Sequence, residues 1–508
     1  NGSTFRYRIK RSPIFAEIQS ASRRQSINIA DELRPLLKQS GFEMNEPSLV
    51  FSNKDATNTV KDIHPIRGIL NNRPYDYALT MRGLVPTVKL GIVCPQAETK
   101  ILQSYLHMAN RNHQPSDRER DYLLDYPGFE RAYGLPLELP DPGMTGWVSC
   151  PEPSASDPQS ASREIGGFIN RAIEVLESSC APNIILIFFP DRWEQYRGYR
   201  TENDRFDLHD FVKAFSVQRG VATQFLNQST LRDQYQCRVW WWLSLALYVK
   251  GMRTPWVLDT LDEDTAFVGL GFSVEPPAQR GMHVVLGCSH IYSAKGEGLQ
   301  YRLSKIEEPI FYGKNPFMSK EDARRLGETI RYLFYDSRQK LPNRVVIHKR
   351  TPFLKEEREG LFEGLSGVSN IDLLEIYIDH ALRYVASVYR NGRFDEDNYP
   401  VRRGTTVKLD DYTALVWVHG VTVSVNPTKR YYQGKRRIPA PLVVKRHAGT
   451  SDLSQIAEEI LGLSKMNWNT FDLYTKMPAT VHSSNEIARI GSLLQRFGRD
   501  SYDFRLFM

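Results

Sequence analysis

The 508-residue chain is poor in cysteine, with five in all, and the nearest two, Cys150 and Cys180, stand 30 residues apart. That spacing excludes CxxC metal sites and a disulfide scaffold, and it points to reduced thiols. Long apolar runs are missing too. The longest, Val239 to Val249, falls short of the ~20 residues that cross a bilayer, so no membrane is expected among the partners. The sequence opens on Asn without a charged-then-apolar leader. No signal peptide is expected, and the setting expected is cytoplasmic. Several enzyme signatures are absent as well: no GxSxG elbow, no GxxxxGK[ST] phosphate loop, no HExxH and no His–Cys ligand pair. Serine-nucleophile hydrolysis and His/Cys metal catalysis therefore find no support. Gly269-Leu270-Gly271 is a GxG without its third glycine, and reads as a tight strand position.

What is present describes a globular chain. Hydrophobic residues make 41% and charged residues 25%, which excludes a disordered or fibrous protein. Lys and Arg number 66 against 59 Asp and Glu, a net +7. The excess is local. It gathers at Arg6–Arg11, at Lys445–Arg446, and at Lys429, Arg430, Lys435, Arg436 and Arg437. Tyr431 and Tyr432 interrupt the last cluster, a composition suited to a phosphate backbone with stacked bases. A solvated basic face on a hairpin has the same composition.

Residues 1–45 read as a basic lead-in, helix-prone from Ala16 to Gln39, and 46–87 as a linker broken by Pro65, Gly68 and Pro74. From Val88 strands and helices alternate. Strands are expected at Val88–Cys94, Ile184–Phe189 and Val221–Phe225, and helices at Ala97–Ala109, Ile165–Ser178, Leu208–Gln218 and Leu231–Lys250. This is the pattern of a parallel α/β layer. Past Thr260 the order changes to three strands (Ala266–Ser273, Met282–Ser289, Leu299–Ser304), a helix capped at Ser319, then strands at Arg344–Lys349 and Ile371–Ile378 around a helix near Lys355–Leu365. That is the order of an RNase H-like sheet.

The stretch with most chemical content is Asp207-Leu208-His209-Asp210-Phe211-Val212-Lys213. His209 and Lys213, four apart, share one helix face. Gln224 follows on the next strand and Lys250 ends the next helix. Two ammonium groups, an imidazole and an amide donor suit a terminal phosphate. By spacing alone, His and Lys at i, i+4 also describe an exposed helix face.

The segment Ile184–Trp256, running NIILIFFPDRW, DLHDFVKAF, GVATQFL and WWWLSLALYVKGMRTPW, resembles the MID domain of prokaryotic Argonautes. In that family a Tyr/His/Arg–Lys–Gln–Lys set holds the 5′ phosphate of a guide strand, and His209, Lys213, Gln224 and Lys250 match it in type and spacing. The resemblance continues into the PIWI domain through TAFVGLGFS, PNRVVIHKRTPF, RIPAPLVVKRHAGT, LGLSKMNWN and MPATVHSSNEIARIG, and ends in FRLFM. NEPSLVF and HPIRGIL are similar to the segment before MID, so about residues 46–508 are covered. The resemblance implies an α/β protein with a Rossmann-like MID domain (88–260) and an RNase H-like PIWI domain (261–508). It also implies a Mg²⁺ beside the guide phosphate, held partly by the terminal carboxylate of Met508.

The same resemblance marks what is missing. Slicing members carry an Asp in a GxDxS-like context on the first PIWI strand, where this chain has Gly271. A later Asp, in an RVxxxRDG-like pattern, is replaced by Arg350, a cation that repels Mg²⁺. Asn485 or Glu486 falls near the last ligand position, and Asp262, Glu263 and Asp264 read as a solvated acidic loop. No catalytic residue is expected. Without a PAZ-sized domain before MID, the resemblance is to short prokaryotic Argonautes. There a guide, commonly RNA, pairs with invading single-stranded DNA, and an APAZ-containing effector (a TIR or sirtuin-like NADase, or a nuclease) acts. Arg344, Lys349, Arg350 and the Lys429–Arg437 cluster are expected to line the duplex channel. Two rivals remain at this stage: a guided nuclease using Asp264 or Glu297, and a scaffold with a vestigial groove.

Overall fold

The computed structural model describes residues 41–508 apart from 202–203, 260, 275–283, 292–298, 307, 383–386, 397–399, 433–437, 492 and 495–501. The expected helix at 16–39, Lys435, Arg436, Arg437 and Glu297 lie outside the described residues.

The chain begins with β1 (Phe42–Glu43), β2 (Leu49–Ser52), β3 (Thr59–Asp62) and α1 (Pro65–Asn71). Residues read as a linker are thus built into the body. Pro65 sits in the first turn of α1, where its missing N–H costs nothing, and a Cβ on Gly68 would lie 2.1 Å from the Phe51 ring. Both residues that look like breakers serve regular structure here. The Lys465 ammonium donates to the carbonyls of Pro47 and Ile63, and Glu46 accepts from Arg403, so this segment is fastened to residues 400 positions away.

A first parallel layer follows: β4 (Val88–Pro95), α2 (Thr99–Leu106), β5 (Trp147–Cys150), α3 (Pro158–Cys180), β6 (Ile184–Phe189), α4 (Leu208–Gln218), β7 (Ala222–Asn227) and α5 (Gln236–Lys250). The sheet runs β7-β6-β4, with β5 beside β4, and every one of these pairings is parallel. β6 is apolar throughout because both its faces are covered. Ile185, Ile187 and Phe189 pack with Ile165, Ile169 and Ile173 of α3, while Ile184, Leu186 and Phe188 join the core that holds Trp241 and Leu245 of α5. α5 starts at Gln236 and not at Leu231. The Gln236 amide donates back to the Leu231 and Asp233 carbonyls and closes the turn there.

After β8 (Val257–Leu258), which pairs with β2, comes the second unit: β9 (Thr265–Val274), β10 (Val284–Ile291), β11 (Leu299–Ile306), α6 (Lys320–Arg338), β12 (Arg344–Lys349), α7 (Lys355–Gly364) and β13 (Asn370–Ile378). β14 (Thr405–Lys408), β15 (Thr413–Val416), β16 (Thr422–Val423), β17 (Arg430–Tyr431), β18 (Leu442–Ala448), α8 (Leu453–Leu463), α9 (Ala479–Gly491) and β19 (Tyr502–Asp503) complete it. One ten-stranded sheet runs β1-β14-β15-β18-β13-β12-β9-β10-β11-β19. β9, β12 and β13 are mutually parallel, and β9 to β11 form the antiparallel meander expected from the sequence. Val268 and Leu270 face α6 and α7. Phe267 faces the core shared with α8 and α9.

Candidate functional site

α4 begins at the Asp207 cap, whose carboxylate accepts from the Asp210 amide at 3.0 Å, and ends where Gly220 adopts φ +72°. Its buried face carries Lys213, 1% exposed. The Lys213 ammonium donates to the Thr223 carbonyl on β7 at 3.1 Å and to a Met508 main-chain oxygen at 2.6 Å. Lys250, the last residue of α5 and 3% exposed, donates to the same Thr223 carbonyl at 2.9 Å and to Gln224 Oε1 at 2.6 Å.

Two ammonium groups are therefore sunk side by side. Among the described residues no Asp or Glu side chain pairs with either. Burial pushes Lys213 down to about 7. Burial and then the neighbouring Lys213 charge hold Lys250 well below the ordinary lysine value. Buried cations normally come with a carboxylate. These two come with the Thr223 carbonyl, the Gln224 amide oxygen and a main-chain oxygen of Met508, the residue whose terminal carboxylate the resemblance places here, and with no acidic side chain.

His209 stands one turn before Lys213, its side chain 47% exposed, with its ring 5.2 Å from Phe225. Its Nδ1 lies 3.2 Å from Asp210 Oδ1. Burial opposes ionisation of Asp210, but the hydrogen bond from His209 and the guanidinium of Arg489, reaching across from α9, hold its carboxyl below the usual range. Asp207, His209 and Asp210 each offer a ligand atom within 4.8 Å of the others. Both acids are already engaged, one as a helix cap and one with Arg489.

The structure thus brings Lys213, Gln224, Lys250 and Met508 together, with His209 at the rim. The shared Thr223 carbonyl and the Arg489–Asp210 bridge were not expected from sequence. A main-chain acceptor carries no residue-type signal, and Arg489 lies 279 positions from its partner.

The expected duplex-lining cations divide differently. Arg344 is a correction. It is 7% exposed and donates to Asp372 Oδ2 at 2.6 Å and to Glu459 Oε2 at 3.1 Å, so its charge is spent inside the second unit. Lys349 is another: 1% exposed, it pairs with Glu357 at 2.6 Å and lies 4.6 Å from the Phe353 ring centre. Arg350, Lys429 and Arg430 are exposed. Arg430 stands 3.8 Å from Glu43.

Where the pairing of β9 with β12 ends, Gly271 lies one residue past the Leu270–Lys349 register pair, as Arg350 does on β12. A Cβ at Gly271 would meet the Ser484 carbonyl group of α9 at 2.5 Å and the Asn485 nitrogen at 2.7 Å. Asn485 donates its side-chain amide to the Val481 carbonyl at 2.9 Å, and Glu486 pairs with Arg489 at 2.9 Å. Asp264 lies at the opposite end of β9, paired with Lys340 at 2.5 Å.

No protein-family profile matches the chain, and no curated protein sequence matches it. Solved structures do. Clostridium butyricum Argonaute bound to a guide DNA and a 19-mer target DNA aligns with TM-score 0.64 and 13% identity, over 93% of this chain and 55% of that one. A. aeolicus Argonaute aligns with TM-score 0.58 and 17% identity, over 93% and 56%, and Drosophila Piwi with TM-score 0.56 and 13% identity, over 92% and 56%. The chain spans a little over half the length of these structures. No helix among the described residues is long and apolar enough to cross a membrane. At such identities the likeness is one of fold, and the chain folds as the MID and PIWI half of an Argonaute.

Proposed function

We propose that this protein binds the 5′ phosphate of a short guide strand in the hole between Lys213 and Lys250 and uses that guide to recognise a complementary strand. The observation that carries the reading is the pair of buried ammonium groups sharing the Thr223 carbonyl with no acidic side chain between them. A phosphate supplies the negative charge that no side chain in the hole provides and accepts the hydrogen bonds that the carbonyl now takes. The rim imidazole of His209 adds a donor of the directed kind, while Gln224 faces the hole with its acceptor oxygen. Base pairing then supplies sequence specificity, and the exposed Arg350, Lys429 and Arg430 supply backbone charge.

A divalent ion fits the same place. The Met508 oxygen and Gln224 Oε1 are hard oxygen donors of the type Mg²⁺ takes. Both accept from ammonium groups in the free protein, so these residues would hold an ion together with the phosphate. Bound there, the ion would supply charge neutralisation.

The reading extends to a protein that binds without cutting. Gly271 and Arg350 stand where carboxylates would be needed, and α9 leaves no room for a side chain at 271. The runner-up, a nuclease using displaced carboxylates, finds Asp264 at the wrong end of β9 and paired with a lysine. In this reading the guide is RNA, the target is invading single-stranded DNA, and an APAZ-containing effector acts once the target is bound, as a defence device in the cytoplasm.

Fluorescence anisotropy with 5′-phosphorylated and 5′-hydroxyl guides tests the core of it. The wild type should prefer the phosphorylated guide, and Lys213→Ala with Lys250→Ala should weaken that guide by about a hundredfold, two charge-assisted hydrogen bonds. A folded double variant that keeps the preference would refute the site.

A further inference from the structure

A cavity of about 370 Å³ opens in the second unit, far in the chain from the lysine pair and lined by none of its residues. Ile378, at the end of β13, and Leu442, at the start of β18, form part of its apolar floor with Val418. The ring of His419 makes one wall, and His380 and Lys476 stand exposed at the mouth. The cavity opens at the C-terminal end of β13, the same end of the parallel strands that carries Gly271 and Arg350. The β16–β17 hairpin that presents Lys429 and Arg430 is joined to it, because Tyr432, just past β17, reaches His419 Nε2 at 3.4 Å.

His419 is fixed in one orientation. The Tyr474 hydroxyl donates to the Gly420 carbonyl at 3.1 Å, so it accepts from His419 Nδ1 at 2.9 Å. Nε2 is then the acceptor for the Tyr432 hydroxyl. Burial, with Lys476 and Arg403 nearby, pushes this imidazole down to about 4, so the wall is an uncharged planar ring.

We propose that this cavity receives one unstacked nucleobase of the bound strand, with the Lys476 ammonium at its mouth donating to the edge of that base. The inference rests on the nucleic-acid reading above and adds to it a second anchoring point. A base presents two apolar faces and an edge that carries carbonyl or ring-nitrogen acceptors beside its donors. The aliphatic floor and the neutral imidazole suit the faces, and the exposed donors of Lys476 and His380 suit the edge. The volume holds a base with its sugar and little more.

The test uses the full chain and short 5′-phosphorylated RNA guides carrying 2-aminopurine at one position at a time, alone and paired with complementary DNA. One position should brighten on binding as its base leaves the stack, and an abasic site there should weaken binding about tenfold. Ala440→Phe, which fills the half-buried side of the cavity, should abolish both effects and leave the preference for a 5′ phosphate unchanged. Lys476→Ala, at an exposed position, should weaken binding of the normal guide and not of the abasic one, and it carries the test if Ala440→Phe fails to fold. The base site is overturned if no position brightens, or if folded variants of both kinds keep the wild-type pattern. If the wild type shows no preference for the phosphorylated guide, the lysine site falls first and the base site with it.

Discussion

Lys213 and Lys250 reach the Thr223 carbonyl from two different helices, at 3.1 and 2.9 Å. Burial makes Lys213 harder to charge, and burial with the neighbouring Lys213 does the same to Lys250, so the pair is poised to take up protons when an anion arrives. For a base whose folded pKa is depressed, the unfolded chain binds more protons, so the ligand-free protein should gain stability as pH rises from about 7 toward the ordinary lysine range. Phosphate affinity runs the other way. It should be greatest near pH 7 and fall about tenfold per pH unit for each proton taken up. Titrating the 5′-phosphate preference between pH 7 and 9 checks the sign, and a flat profile would show the lysines stay charged without ligand.

Placing a carboxylate at position 271 of β9 should not confer cutting. Gly271→Asp forces a side chain into the Ser484–Asn485 backbone, at a cost of about 1–3 kcal/mol as in other overpacked sites. Denaturant melts should register that loss. Cleavage of a guide-paired target in Mg²⁺ or Mn²⁺ should stay absent, and cleavage by the wild type would sink the inactive reading outright.

Arg344 should matter for folding. Arg344→Ala leaves Asp372 and Glu459 buried without their cation, and breaking such a network costs about 3–5 kcal/mol. Stability curves should show it even in the absence of nucleic acid.

Lys429→Ala with Arg430→Ala should do the reverse. Both are exposed, and the Arg430 contact to Glu43 at 3.8 Å is of the surface kind that contributes little. Melting should stay near wild type, while the plot of log affinity against log salt should flatten by about 1.5 units. An unchanged slope would place the duplex elsewhere.

Sequence reading reached the local features and missed the distant ones. Leu208–Gln218 is legible to the residue because Asp207 and Gly220 mark its ends, and Ile184–Phe189 because six apolar residues leave no other reading. Arg344 and Lys349 misled because a cation on a strand looks the same whether it faces water or a carboxylate, and the partners of Arg344 stand 28 and 115 positions away. Residues 46–87 misled for a related reason. Pro65 and Gly68 are signs of irregular chain unless Pro65 is known to open a helix and Phe51 to pack onto Gly68. For the candidate site, spacing shows the residue types, the resemblance implies that they converge, and the contacts themselves come only from the structure. Only the fold shows that Gln224 and Lys250 meet and that Met508 arrives between the helices.

Ser484 and Arg489 sit on the same helix, five residues or about 7.5 Å apart along its axis. One closes the space beside Gly271, and the other grips Asp210 at the foot of the lysine hole. A side chain added at 271 would press on the helix that holds Asp210, so a change on β9 would be felt at the lysine hole through one rigid rod.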